Sequence, residues 1–154
     1  MIRLKYRVLI SDNLSRGILK IFQNVGIDAV YNPELGKDNS ALLKEIHKYD
    51  AIAIRSETII NSVVLDKSLK LKVIGRAGIG VDNIDIDTAS SKGIVVMNTP
   101  FGNAITTAEH TLAMIFAAAR RIPAANQSIQ SGRWEKKNFT GMELSGKKLG
   151  IIGV

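Results

Sequence analysis

Two arginines in this chain each stand at the end of a short apolar run. Arg55-Ser56 follows Ala51-Ile52-Ala53-Ile54, and Arg76 lies in Gly75-Arg76-Ala77-Gly78-Ile79-Gly80, which follows Leu71-Lys72-Val73-Ile74. A third segment, Asn98-Thr99-Pro100-Phe101-Gly102-Asn103, follows Ile94-Val95-Val96-Met97. A guanidinium offers a fixed fork of donors suited to phosphate or carboxylate, and successive backbone N–H groups in a glycine turn form an anion nest. If the runs are parallel strands of one open sheet, all three segments leave from its carboxyl edge, where such sheets bind ligands. The chemistry expected there is capture of a small anion. Arg55 as a surface ion pair and the glycines as a purely conformational turn are the plainer readings of the same residues.

Other residues that could do chemistry fit no site. Gly75, Gly78 and Gly80 give G-x-x-G-x-G, the dinucleotide spacing reversed, and Val81-Asp82-Asn83 rather than a helix follows, which argues against a pyrophosphate site. Asp82, Asp85 and Asp87 lack the calcium-loop spacing, glycine and closing glutamate, and are expected to complement a helix N-terminus. His47 and His110 have no triad partner or metal-ligand spacing; Glu109 and His110, as neighbours on a helix, do not face each other. Trp134 reads as packing.

The elements that must position these residues alternate in type. Strands are expected at 7–11, 29–31, 51–54, 71–74 and 94–97. Asp12 or Asn13 is expected to cap a helix ended by Gly26, and Ser40 one reaching about His47. Further helices span about 61–67 and 84–91, the latter ended by Gly93. Parallel strands need crossovers, so the fold class is α/β, a flavodoxin-like parallel five-stranded sheet. A long helix follows over about 104–121, capped either by Asn103 or by a Thr106/Glu109 capping box. Pro123 marks its end or a kink, and a second helix runs to about Ser131, stopped by Gly132. The boundary is set near Thr99, giving domains 1–98 and 99–154. Lys147 to Gly153 reads as a strand running into the first glycine of G-x-G-x-x-G, with the rest of that fingerprint absent from the sequence. An unpaired strand there is expected to fray or to pair with another chain.

Composition narrows the class. The chain has 154 residues, 45% apolar and 23% charged, which is ordinary for a globular protein. Without cysteine it has no disulfide, thiolate metal site or cysteine nucleophile, and it fits a cytoplasmic setting. Its start is too charged for a signal peptide, and the longest apolar stretch, Leu112 to Ala119, is far short of a membrane span. A net charge of +7 favours anionic partners, but with aromatics at 5% and no groove-reading motif, nucleic acid is not expected. A receiver domain has the same architecture but needs an aspartate where Arg55 stands.

In order, the rim segments resemble the D-isomer-specific 2-hydroxyacid dehydrogenases. The resemblance runs through Val8-Leu9-Ile10-Ser11-Asp12, Ile54-Arg55-Ser56, Val73 to Asn83, and Val96 to Asn103. It continues through Ala108-Glu109-His110, Gly132-Arg133-Trp134-Glu135 and Gly146 to Gly153. It implies that Arg55 and Ser56 contact a small phosphorylated 2-hydroxy acid, with Arg76 adding charge and the backbone of Gly78, Ile79 and Gly80 holding a carboxylate. It also implies that Ile79 nears the nicotinamide of NAD where many relatives have threonine, and that Gly153 opens the cofactor turn. Asn103 would sit in the interdomain cleft, and Lys136 would match a basic position that in some relatives reaches a neighbouring subunit. The long helix and the segment to Lys137 would be a dimerisation region of a homodimer or tetramer. The family's catalytic arginine, glutamate and histidine match nothing in this sequence. The 154 residues are therefore expected to be a truncated substrate domain with the start of a Rossmann cofactor domain, and to be inactive alone. A glyoxylate or hydroxypyruvate reductase of the same family is the near alternative; a non-catalytic dimerisation or small-anion-binding module is the distant one.

Overall fold

The computed structural model describes residues 6–152, in two compact units that divide between Gly102 and Asn103. The first unit holds five parallel strands: β1 (Arg7–Ile10), β2 (Asp28–Tyr31), β3 (Ala51–Ile54), β4 (Val73–Arg76) and β5 (Val95–Met97). Their order in the sheet is β2-β1-β3-β4-β5, the flavodoxin-like arrangement that the alternating texture implies. Crossovers carry α1 (Gly17–Asn24), the short α2 (Glu34–Lys37), α3 (Asn39–Glu45), α4 (Ser62–Lys67) and α5 (Ile86–Ser91). The core lies between sheet and helices, where Leu9, Ile52, Ile54 and Ile74 meet Leu42, Ile46, Val64, Leu65 and Ala89. Burial of such side chains contributes about 1.5–3 kcal/mol each and is the main force holding the sheet.

Local signals explain the element ends, and several differ from the sequence reading. Helix α1 starts at Gly17, not after Asp12 or Asn13, because both side chains are taken by distant partners. Asp12 binds the loop after β3, and Asn13 Oδ1 accepts from the Tyr31 hydroxyl at 3.0 Å. Asp38, rather than Ser40, caps α3 by accepting from Ala41 N at 3.0 Å. Strand β4 begins at Val73, two residues later than expected, since its limits follow pairing with β3: Ala51 faces Val73 and Ile54 faces Arg76. Leu71 therefore enters the core from a turn, and Arg76 is the last residue of the strand. Gly93, at φ +69°, ends α5 in a Schellman motif, with Ile94 N donating to Ala89 O at 2.9 Å and Gly93 N to Ser90 O at 3.0 Å.

Asn61 caps α4 through its side-chain oxygen, 3.1 Å from Val64 N. Asn61→Ala should lower unfolding free energy by about 1 kcal/mol, readable as a shifted urea midpoint at unchanged slope.

The second unit contains α6 (Ala104–Ala119) and α7 (Ile122–Gln130). Asn103 occupies the N-cap of α6 without a side-chain cap bond, and the helix already runs through Thr106, so the capping box does not form. The break between the helices is Arg121, in left-handed conformation at φ 53°. Pro123 falls in the first turn of α7, where its missing N–H costs nothing; it begins the second helix rather than ending the first. The expected final strand is not formed in its described part. Residues 147–152 join no sheet among the described residues, and Ile152 is fully exposed; Gly153 lies outside them. A strand exists by pairing, and the apolar run alone does not supply a neighbour. No helix among the described residues is long and apolar enough to cross a membrane.

Candidate functional site

The strand order changes direction between β1 and β3, so their carboxyl ends open a crevice that no crossover covers. A hollow of about 180 Å³ lies there, lined by Asp12 and Asn13 from the segment after β1 and by Arg55, Ser56 and Glu57 from the loop after β3. This volume suits a single phosphate or carboxylate group; pockets for whole small molecules run to roughly 300–1,000 Å³. Arg55, Ser56 and Glu57 are exposed between buried Ile54 and buried Thr58, so the loop is anchored at both ends and open in the middle.

Asp12 makes one of the anchors. Its carboxylate is buried at the end of β1 and accepts from the backbone N–H of Arg55, the backbone N–H of Thr58 (3.0 Å) and the Thr58 hydroxyl. The Ser11 hydroxyl lies 2.9 Å from that of Thr58. Three donors converging on one buried carboxylate offset its desolvation.

Asn83 makes the other. Its Nδ2 donates to the carbonyls of Arg55 and Thr58, both at 2.7 Å, and its Oδ1 accepts from Arg76 Nε at 2.8 Å. The Arg76 side chain is largely buried, with Asp82 Oδ1 3.9 Å from Nη2. The loop after β3 is thus held by its N–H groups from one side and by its carbonyls from the other.

The glycine turn lies beside this clamp. Asn98 Nδ2 donates to Ile79 O at 2.7 Å, and Thr99 N donates to Gly78 O at 2.9 Å. Gly78 N already donates to Arg76 O at 3.0 Å, so the nest expected at Gly78, Ile79 and Gly80 reduces to the last two amides. A side chain at Gly78 would stand 2.5 Å from Arg76 Nη1, because the guanidinium packs across the turn. The turn runs into no helix N-terminus, so the described residues do not form a pyrophosphate cradle. Asp85, further along, caps α5; its carboxyl titrates below the ordinary range because the Thr88 backbone N–H and then the Thr88 hydroxyl bind its charged form.

The expected site residues fall into separate groups. Arg55, Ser56, Arg76, Gly78, Ile79 and Gly80 share the carboxyl edge of the first unit, joined through Asn83. Asn103 and Lys136 belong to the second unit, at the start of α6 and in a 3-10 turn at Lys136–Phe139. His47 precedes β3, at the opposite end of that strand from Arg55, and His110 is exposed on α6. No trio of metal-ligating side chains occurs among the described residues. Asp12 and Asn83 were missed as site residues. The available signal was the strand order: once β1 lies next to β3, the residue after Ser11 must face the loop after Ile54.

The family model for the D-isomer specific 2-hydroxyacid dehydrogenase catalytic domain matches residues 8–143. The chain is 44% identical over 148 residues to the D-3-phosphoglycerate dehydrogenase of Archaeoglobus fulgidus, covering 96% of this chain and 28% of that protein. It is 45% identical over 148 residues to the human protein of the same name, again over 96% of this chain and 27% of the relative. The chain therefore spans little more than a quarter of these relatives' length. Among solved structures, a cofactor (NAD+)-bound 3-phosphoglycerate dehydrogenase of Entamoeba histolytica superposes with a TM-score of 0.67 at 28% identity, over 75% of this chain and 40% of that one.

Proposed function

We infer the function from one premise: the chain belongs to the D-isomer specific 2-hydroxyacid dehydrogenase family. The proposed role is the substrate-binding side of a D-3-phosphoglycerate dehydrogenase, which oxidises 3-phosphoglycerate to 3-phosphohydroxypyruvate in serine biosynthesis. NAD, when bound, would supply the hydride acceptor in that reaction, and Ile79 is the described residue proposed to meet it. The observation that carries this reading is the exposed Arg55-Ser56 pair on a doubly anchored loop at the switch point of the sheet. Arg55 and Ser56 hold the phosphate, Arg76 adds positive potential from behind, and the amides of Ile79 and Gly80 receive the carboxylate. Asn103 and Lys136 contribute from the second unit, Lys136 to a neighbouring subunit of a homodimer or tetramer. The family's catalytic arginine, glutamate and histidine match none of these 154 residues, so turnover by them alone is not expected.

One observation favours a second reading, a glyoxylate or hydroxypyruvate reductase. Arg76 is engaged by Asn83 and flanked by Asp82, leaving Arg55 as the exposed guanidinium of the pair, and a single guanidinium suffices for a single carboxylate. Calorimetric titration separates the two. The expected result is weak, salt-sensitive binding of 3-phosphoglycerate, tighter than that of glyoxylate and reduced about ten-fold or more by Arg55→Ala, as loss of charge-assisted bonds implies. Equal affinity for both ligands would favour the reductase, and an Arg55→Ala variant that binds normally would remove the site. Micromolar NAD affinity would contradict the view that the pyrophosphate cradle lies outside the described residues.

A further inference from the structure

The Asn83 side chain hydrogen-bonds both the Arg55 loop and the Arg76 guanidinium. The amide is used in full: two N–H bonds go to the carbonyls that bracket Ser56 and Glu57, and the oxygen takes the Nε–H of Arg76. Its own backbone is fixed as well, with Ile60 N donating to Asn83 O at 2.9 Å and an Ile60–Ile84 bridge beside it. Opposite it, Asp12 takes the N–H groups of Arg55 and Thr58, the same two residues whose carbonyls Asn83 holds. A backbone gripped at both N–H and C=O of the same two residues cannot rotate either peptide without breaking a bond on one side. Each such bond lost inside the clamp leaves a polar group unpaired.

We propose that Asn83 and Asp12 are positioning residues that set the two arginines of the anion site as one unit. Asp12 and Asn83 fix the backbone from which Arg55 projects, and Asn83 ties Arg76 to that same backbone. The anion then meets a preorganised pair of cations instead of two independent side chains, and the ordering has been completed before binding. This deepens the reading of the site as one for a phosphorylated or carboxylated acid, and rests on it for the ligand alone; the clamp itself is a property of the free chain.

The free chain is therefore tested first, by NMR without ligand. In the wild type, the Arg76 Nε–H and the amides of Arg55 and Thr58 should exchange slowly with solvent. Asn83→Ala should abolish the protected Arg76 Nε–H signal, whereas Asn83→Asp, which keeps an acceptor oxygen for Arg76, should retain it while the loop carbonyls lose their donors. Asp12→Asn, which turns one acceptor into a donor facing an N–H, should speed exchange of the Arg55 or Thr58 amide at least ten-fold. Titration with 3-phosphoglycerate follows, with Ile46→Val as the control. Ile46 is a fully buried core residue before the start of β3, at the amino end of the sheet, so its substitution weakens the fold without touching the rim. Asn83→Ala should weaken binding at least five-fold and Ile46→Val should leave it unchanged. Loss of affinity in both variants to the same degree would reduce Asn83 to a general stability residue and overturn the proposal. An unchanged Arg76 Nε–H signal in Asn83→Ala would overturn it as well. Should Asn83→Ala fail to fold, the signal and amide exchange of Asn83→Asp decide by the same criteria. If the wild type shows the protected signals but binds no 3-phosphoglycerate, the clamp stands and the ligand assignment fails.

Discussion

Gly36→Ala is expected to destabilise the first unit by about 3–5 kcal/mol, more than overpacking usually costs. A methyl group at this position would overlap the backbone carbonyl oxygen of Ser11 and come within 2.5 Å of both Asp12 Oδ1 and Thr58 Oγ1. Relief by a side-chain rotation is closed off at all three. Ser11 follows directly on central strand β1, where its N–H donates to Ala53 O at 3.2 Å, so the carbonyl moves only with the sheet. Asp12 and Thr58 are bonded to each other and to the loop that carries Arg55. Either the short helix α2 lifts, pulling buried Leu35 out of the core, or the Asp12 carboxylate loses donors. Each unsatisfied buried group costs about 1–3 kcal/mol, so both routes exceed the ordinary surface substitution several-fold. Since whole domains are stable by roughly 5–15 kcal/mol, the effect should appear as a large fall in urea midpoint, with weaker 3-phosphoglycerate binding in the chains that remain folded. A loss below about 1 kcal/mol would mean that α2 shifts freely and that the close approach at Gly36 is not a constraint.

The same packing shows why the fold was more legible than the site. Val8, Leu9 and Ile10, or Ile52 and Ile54, announce buried strands because an apolar run of that length has few other uses. Gly93 and Gly132 announce helix ends because their backbone conformation is disfavoured elsewhere. Both signals are local, and both were read correctly. Asp12 also carries a local signal, that of a helix cap, and it misleads: tertiary partners from the β3 loop outbid the nearby helix N–H groups. Asn83 follows Asp82 and lies two residues before Asp85, so its neighbourhood suggests a solvated loop; its actual partners are 28, 25 and 7 residues away in sequence. Arg55 and Arg76 stood out because a cation at a strand end is unusual, but that Arg76 is occupied by Asn83 was visible only once the strands were registered. Side chains that do chemistry can be nominated by type, whereas those that hold them are defined by contacts across the fold.

Ile54→Ala is expected to cost about 3 kcal/mol and, unlike most core truncations, to weaken anion binding in chains that are still folded. Ile54 is fully buried, ends β3 and pairs with Arg76 across the sheet; its carbonyl accepts from Ala77 N at 2.8 Å. Removing three carbons loses about 2.4 kcal/mol of transfer free energy at roughly 0.8 per methylene, and the residual cavity adds to this. Ile54→Val should cost only about 0.5–1.5 kcal/mol. The matched comparison is Ile52→Ala, on the same strand and face two residues earlier, where an equally buried side chain lies one layer below the rim. If about 5 kcal/mol of stability remains, fewer than one chain in a thousand is unfolded, so population alone cannot alter the measured affinity. A fall in 3-phosphoglycerate affinity must then come from displacement of the rim. Ile54→Ala should weaken binding about three-fold, because the cavity opens directly beneath the peptide that presents Arg55, while Ile52→Ala should leave it within error. Equal falls in both variants would mean that the clamp of Asp12 and Asn83 transmits core relaxation from anywhere in the sheet. No fall in either would mean that the clamp isolates the loop from the core entirely. Only the unequal result places the support of Arg55 in the last layer of β3.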